Sequence, residues 1–343
     1  MNIKKLLGKG YFPKELPPPF ETISFAIKSQ YIEKKWINLL KKKAIPTIIE
    51  SANDAKKRFK TDYTNKYGNS KCLQYSLGKG IYSRRKLGIP NPKQYHDLSK
   101  LVVNNWSILR KTYDLTDFSA SIPTETGAIR AVRTKSKSLN KFQFDLIEKS
   151  FNKRYELYLD ITQFYPSIYT HSIPWAIMGK SEAKKMFNLK NSPGGGWAAL
   201  LSTSPQAKLY AFCDSLDTLV RNCQERQSVG LPIGPDVSYI LAEIIGNRID
   251  HEIQKELKDL KYEGTRYYDD YYFYIDSYSD AEKILKVVQK ILNEFQLETN
   301  ESKVKIKELP FAFEARWTLA LSAFHFRDVK NMKFVISFQP YFV

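Results

Sequence analysis

Apolar and polar positions alternate along Tyr155-Glu156-Leu157-Tyr158-Leu159-Asp160-Ile161, the period of a strand, and the strand delivers Asp160 at its end. A second stretch, Thr265 to Ile275, sets aromatic and β-branched residues on both sides of Asp269-Asp270. Adjacent aspartates suit a turn better than a strand interior, so this stretch predicts a β-hairpin with two carboxylates at its tip. Helical spacing dominates elsewhere. Val237, Ile240, Leu241, Ile244, Ile245, Ile249 and Ile253 form one stripe on a long helix, and this stripe reads as core rather than cofactor box. Ile284, Leu285, Val288, Ile291, Leu292 and Phe295 form another, opened by a capping box at Ser279-Asp280-Ala281-Glu282. Further helices are predicted around 29–40, over 96–109 with Leu98, Leu101, Val102 and Trp106 inward, and over 206–227.

Between these elements lie connections. Residues 1–30, with Gly10-Tyr11-Phe12-Pro13 and Pro17-Pro18-Pro19-Phe20, read as an extended segment laid over a folded body. Ser83 to Pro92 is a short strand carrying Arg84 and Arg85 and closed by proline; 112–140 is turn-rich, with Arg130 and Arg133 as additional cations. Ser192-Pro193-Gly194-Gly195-Gly196 lacks a following Gly-Lys-Ser/Thr and reads as a flexible connection, not a phosphate loop. Gly230 to Asp236 is a cluster of backbone bends where main chain can approach a ligand, and Asp236 is placed to cap the next helix. Asn300 to Ile306 begins another strand, and Leu309 to Val343 alternates in a β-rich manner. No internal repeat or low-complexity tract is present.

Taken in order, these elements predict an α+β fold: an antiparallel sheet with helices on one face. Such a sheet can carry Asp160 beside the hairpin tip. A bare Asp-Asp turn is otherwise a solvated loop, but three carboxylates brought together repel one another until a cation separates them. Two Mg²⁺ ions held there suit phosphoryl transfer, one activating a hydroxyl and one steadying a triphosphate and departing pyrophosphate. Composition narrows the partners. The 343 residues carry a formal net charge of +18, and 43% are hydrophobic and 14% aromatic. Global disorder is excluded, two or more subdomains are expected, and polyanions are the natural partners, nucleic acid before anionic membrane. Cys72, Cys213 and Cys223 have no CxxC spacing, and the four histidines form no pattern with them, which argues against zinc. The run Lys41-Lys42-Lys43 reads as a solvated helix end, and Lys56 to Lys60 forms a second basic cluster. With no secretory segment and no membrane-length apolar run, the expectation is a cytoplasmic protein with reduced thiols, away from membranes.

The Asp160 segment, Gly230-Leu231-Pro232-Ile233-Gly234, Tyr267-Tyr268-Asp269-Asp270 and Asn300-x-x-Lys303 resemble, in order, motifs A, B, C and D of reverse transcriptases. Arg85-Lys86-Leu87-Gly88-Ile89-Pro90 is similar to the fingers motif of group II intron-type enzymes. Three features are narrower. Gly10-Tyr11-Phe12-Pro13-Lys14-Glu15-Leu16-Pro17-Pro18-Pro19-Phe20, the Gly230 to Asp236 variant of motif B, and Phe164-Tyr165-Pro166-Ser167-Ile168-Tyr169 after Asp160 resemble the bacterial abortive-infection (Abi) reverse transcriptases.

The resemblance implies a right-hand polymerase palm with fingers and no usual thumb. It assigns 1–150 to an N-terminal extension and fingers and 151–310 to the palm, with a helical insertion near 175–228. Residues 311–343 would form a β-rich end of the palm, beyond which Abi polymerases continue into a helical domain. It implies Asp160, Asp269 and Asp270 as catalytic metal ligands for two Mg²⁺ ions, with Mn²⁺ as a substitute. Arg85, with Arg84 beside it, would meet the triphosphate, Pro232 to Gly234 would line the nucleotide, and Lys303 would neutralise or protonate pyrophosphate. Tyr165 falls at the steric gate that favours deoxynucleotides. Ile233 stands where many reverse transcriptases carry glutamine, which points to untemplated synthesis, protein-primed as in some Abi enzymes. Implied partners are dNTPs and a DNA product attached to the protein, with RNA and a second copy of the chain as further candidates. The implied role is defence against phage. Two alternatives stand beside this: a template-copying enzyme of the retron or intron kind, and an inactive basic scaffold that binds nucleic acid.

Overall fold

The computed structural model describes residues 1–16, 22–43, 68–79, 82–127, 130–135, 139–194 and 196–310, with 51, 53, 54 and 57 besides. From the N-terminus come α1 (Ile3–Leu7), α2 (Ile23–Lys43), the hairpin β1 (Leu73–Lys79) and β2 (Ser83–Ile89), α3 (Pro92–Asn104) and α4 (Trp106–Lys111). A small ribbon, β3 (Pro123–Glu125) and β4 (Val132–Thr134), precedes α5 (Leu139–Ser150) and β5 (Tyr155–Asp160). Five helices follow: α6 (Phe164–Ser167), α7 (Ser172–Met178), α8 (Lys180–Asn191), α9 (Trp197–Thr203) and α10 (Pro205–Asn222). The chain then forms α11 (Asp236–Glu256), β6 (Glu263–Tyr267), β7 (Asp270–Ile275), α12 (Tyr278–Glu294) and β8 (Lys305–Glu308).

The central sheet has the order β6-β7-β5-β8, and each neighbouring pair is antiparallel. Alternation along its strands sorts the two faces. Leu157, Leu159, Tyr271, Phe273 and Ile275 join the main core with the apolar stripes of α11 and α12. Each fully buried Leu or Ile there contributes about 1.5–3 kcal/mol, which holds the helices to that face. Tyr158 and Tyr272 meet on the other face at 5.3 Å between ring centres. α5 covers the β6 side of that second face, where Phe142 stacks on Tyr267 at 4.5 Å.

Several local expectations shift. α1 buries Leu6 and Leu7 completely, so the N-terminus enters the core instead of lying wholly on the surface. The helix expected over 96–109 starts at Pro92, behind the cap Asn91, and breaks at Asn105. α12 is capped by Ser277, whose side chain accepts from the Asp280 N–H, so the cap sits two residues before Ser279. Asp236 is the first residue of α11 and does not cap it. The stretch from 300 to 306 begins with a short 3₁₀ turn, and the strand starts at Lys305. The β-rich expectation for Leu309 to Val343 falls almost entirely outside the described residues, as do Pro17 to Phe20 and most of the cluster from Lys56 to Lys60.

Candidate active site

β5 and β7 pair so that Asp160 lies directly opposite Asp270. Asp269 occupies the adjoining turn, and its carbonyl accepts the Ile161 N–H at 3.0 Å. The tip of the hairpin is therefore Tyr268-Asp269, with Asp270 already the first residue of β7. Tyr268 takes φ 57°, the positive φ that a primed two-residue hairpin turn demands at its first central position.

Internal donors hold the acids. Lys303 Nζ lies 2.9 Å from Asp160 Oδ2, and the Asn300 N–H donates to the Asp160 carbonyl at 2.8 Å. The Tyr158 hydroxyl donates to Asp270 Oδ1. Burial pushes Asp270 up to about 6, against the Tyr158 hydrogen bond, while the charges of Asp269 and Asp160 push it further up. Burial also raises Asp269, helped by the charge of Asp160. Burial works against the charge of Lys303, but its hydrogen bond and attraction to Asp160 outweigh this and raise it. Carboxylates that resist ionising beside one another favour a cation among them. Among the described residues no group of three or more His, Cys, Asp or Glu is already drawn into a metal-binding cage. Asp160 is instead turned to Lys303, and Asp270 to Tyr158. The donor set is nonetheless all hard oxygen, which fits Mg²⁺ or Mn²⁺.

The other predicted residues divide. Arg85 contributes an attractive charge at Asp269, whereas Arg84 donates to Ser76 Oγ at 2.6 Å and to the Ser76 carbonyl at 3.0 Å within its own hairpin. Successive residues on a strand face opposite ways, so only one of the pair can turn toward the acids. Tyr165 is partly buried against the core; burial raises its hydroxyl, and the charges of Tyr268, Glu243 and Asp269 add to this. The Leu231 N–H donates to the Tyr165 carbonyl at 2.8 Å, tying the bend cluster to the segment after Asp160. The Gly88 N–H reaches the Ile233 carbonyl at 2.9 Å, which lays β2 against Pro232.

Two groups of residues carry more structure than their sequence context signals. Arg130 donates to Asp236 Oδ1 through Nε at 3.0 Å and Nη2 at 2.7 Å, so this cation is engaged with a buried carboxylate. The same Asp236 accepts the Ala131 N–H at 3.1 Å, and its own N–H reaches the Gly10 carbonyl at 2.7 Å. Arg266, fully buried, meets Asp250 at 2.8 Å and Glu243 at 2.7 Å. Arginine within an aromatic strand is the one signal that marks it, since an unpaired buried guanidinium is too costly to keep.

Residues 87–334 match the reverse transcriptase (RNA-dependent DNA polymerase) family. The chain belongs to the reverse transcriptase family. The family is that of RNA-dependent DNA polymerases and generally works with divalent metal ions. The matched span takes in Asp160, Tyr165, Pro232, Gly234, Asp269, Asp270 and Lys303, and it begins just after Arg84 and Arg85. No curated protein matches the chain. Among solved structures this reverse transcriptase is similar to the telomerase of Candida albicans in complex with a TWJ fragment of telomeric RNA, at TM-score 0.44 and 12% identity, over 75% of this chain and 46% of that one. It is similar to apo telomerase from Candida tropicalis at TM-score 0.41 and 14% identity, over 74% and 49%. A C-terminally truncated form of the latter aligns at TM-score 0.46 and 12% identity, over 88% and 59%. The chain thus spans about half the length of these structures. Among the described residues no helix is long and apolar enough to cross a membrane.

Proposed function

We propose that this reverse transcriptase is a DNA polymerase of the Abi type that adds dNTPs without a template from a hydroxyl of the protein itself, in defence against phage. The observation that carries the reading is the register that sets Asp160 opposite Asp270, with Asp269 in the adjoining turn. Asp160, Asp269 and Asp270 would hold Mg²⁺, which, when bound, supplies the activated hydroxyl and the charge that steadies the leaving pyrophosphate. Arg85 meets the triphosphate from the fingers side. Tyr165 crowds the 2′ position of the sugar, Pro232 and Gly234 line the nucleotide, and Lys303 gives positive charge to the departing group.

The Abi assignment is favoured by an interlock between two of the segments that carry the narrower resemblance. Pro13 packs against Gly234, and Gly10 is hydrogen-bonded to Asp236. Ile233, in the same loop, offers no side-chain hydrogen bond to a template base. The palm and fingers boundaries proposed are 151–310 and 1–150. Incubation of the protein with labelled dNTPs and Mg²⁺, lacking primer and template, tests the reading. Label is expected to migrate with the denatured polypeptide and to fall by about a thousandfold or more in Asp269→Asn. Incorporation that survives Asp269→Asn sinks the carboxylate assignment; incorporation that follows an added RNA template favours the retron or intron kind instead.

A further inference from the structure

Tyr268 sits in a backbone region that costs a bulky residue about 1–3 kcal/mol unless its surroundings hold it. Both of its main-chain polar groups are held from beneath. Its N–H donates to Ser121 Oγ at 2.8 Å, and its carbonyl accepts from Arg266 Nη1 at 2.7 Å. These two holders converge on one atom: Ser121 Oγ and Arg266 Nη1 each donate to Glu243 Oε2 at 3.2 Å. Glu243 Oε1 takes Arg266 Nη2 at 2.7 Å and the Ser119 hydroxyl. Further along α11, Asp250 receives Arg266 Nε at 2.9 Å and the Tyr271 hydroxyl at 2.8 Å. Gly246 lies between the two acids, and a Cβ there would come within 2.8 Å of the guanidinium. The guanidinium therefore lies directly on the helix backbone.

A buried ion pair of this kind adds little net stability over apolar packing of the same volume, so its contribution is better sought in geometry. We infer that Glu243 is a positioning residue: through Ser121 and Arg266 it fixes the strained turn that presents Asp269. This rests on the reading of Asp269 as a metal ligand. Groups that orient a ligand from behind typically change metal affinity or activity by about 10–100-fold when removed.

Ser121→Ala tests it, because the change deletes one hydroxyl and leaves the Glu243–Arg266–Asp250 pairs in place. The first readout is Mn²⁺ binding to the whole protein without nucleotide, measured from the electron paramagnetic resonance of free Mn²⁺. Its dissociation constant is expected to rise roughly tenfold. The metal concentration for half-maximal dNTP incorporation should rise with it, while the KM for dNTP and the thermal midpoint stay near the parent values. Mn²⁺ affinity within about twofold of the parent overturns the inference, since a supporting group is expected to matter by about tenfold. Should Ser121→Ala not fold, Glu243→Gln is judged by the same threshold. Asp269→Asn run alongside separates the two ideas: unchanged Mn²⁺ binding in that variant defeats the metal-ligand reading itself, whatever Ser121→Ala does.

Discussion

At the scale of the residue, the acids are arranged by what each one faces. Asp160 turns to Lys303, Asp270 to Tyr158, and Asp269 rides on a turn whose backbone is pinned. Tyr165 is tied to the bend cluster through its main chain, and its ring packs edge-on against Phe164 beside the core. If Tyr165 is the sugar gate proposed above, Tyr165→Ala relaxes sugar choice, raising the relative use of rNTPs by about ten- to a hundredfold in side-by-side incorporation assays. Unchanged rejection of rNTPs would count against the gate. The carboxylates are legible in the sequence because each interrupts an apolar, alternating stretch, where an acid needs a reason to be. The role of Arg266 is not, because its partners Glu243 and Asp250 lie on a helix that reads, by its own apolar stripe, as simple core.

At the scale of the element, some distant segments are joined where backbone closes on a glycine. Gly234 has φ 126°, and a Cβ added there would meet Pro13 at 2.4 Å. A side chain at that position is doubly excluded, by conformation and by contact. Gly234→Ala should destabilise the protein by about 2–4 kcal/mol, seen as a fall of several degrees in the thermal midpoint. An unchanged midpoint would mean that the N-terminal segment is not seated as described. Such an interlock cannot be read from period or propensity. Gly10-Tyr11-Phe12-Pro13 and the bend cluster are each plain turn chemistry, and only folding shows that one fills the other. The short α1 escapes the pattern for a similar reason: its 5 residues carry too little periodicity to reveal a helix that tertiary packing completes.

At the scale of the whole molecule, a net charge of +18 surrounds a small acidic centre. A charge of this sign attracts polyanions at long range, while the carboxylates repel phosphate locally. Binding of single-stranded DNA or RNA should therefore weaken at least tenfold between about 50 and 200 mM salt, measurable by fluorescence anisotropy. Affinity that does not respond to salt would place recognition in stacking or base contacts instead. The antiparallel sheet and its helices are legible from alternation and stripes. The covering of part of the second face by α5 is not, because Phe142 and Leu146 alternate with exposed Phe144 and Ile147 along the same helix.

Lys303 Nζ lies 2.9 Å from Asp160 Oδ2, so a metal ion held by Asp160, as proposed above, would have to share that carboxylate with the lysine. Ammonium and divalent ion would then compete, and the lysine would serve as a placeholder. Its backbone, tied to the Asn300 carbonyl at 2.9 Å, would keep the freed ammonium close to the acids. On that reading, loading the ion and freeing the lysine would be one event.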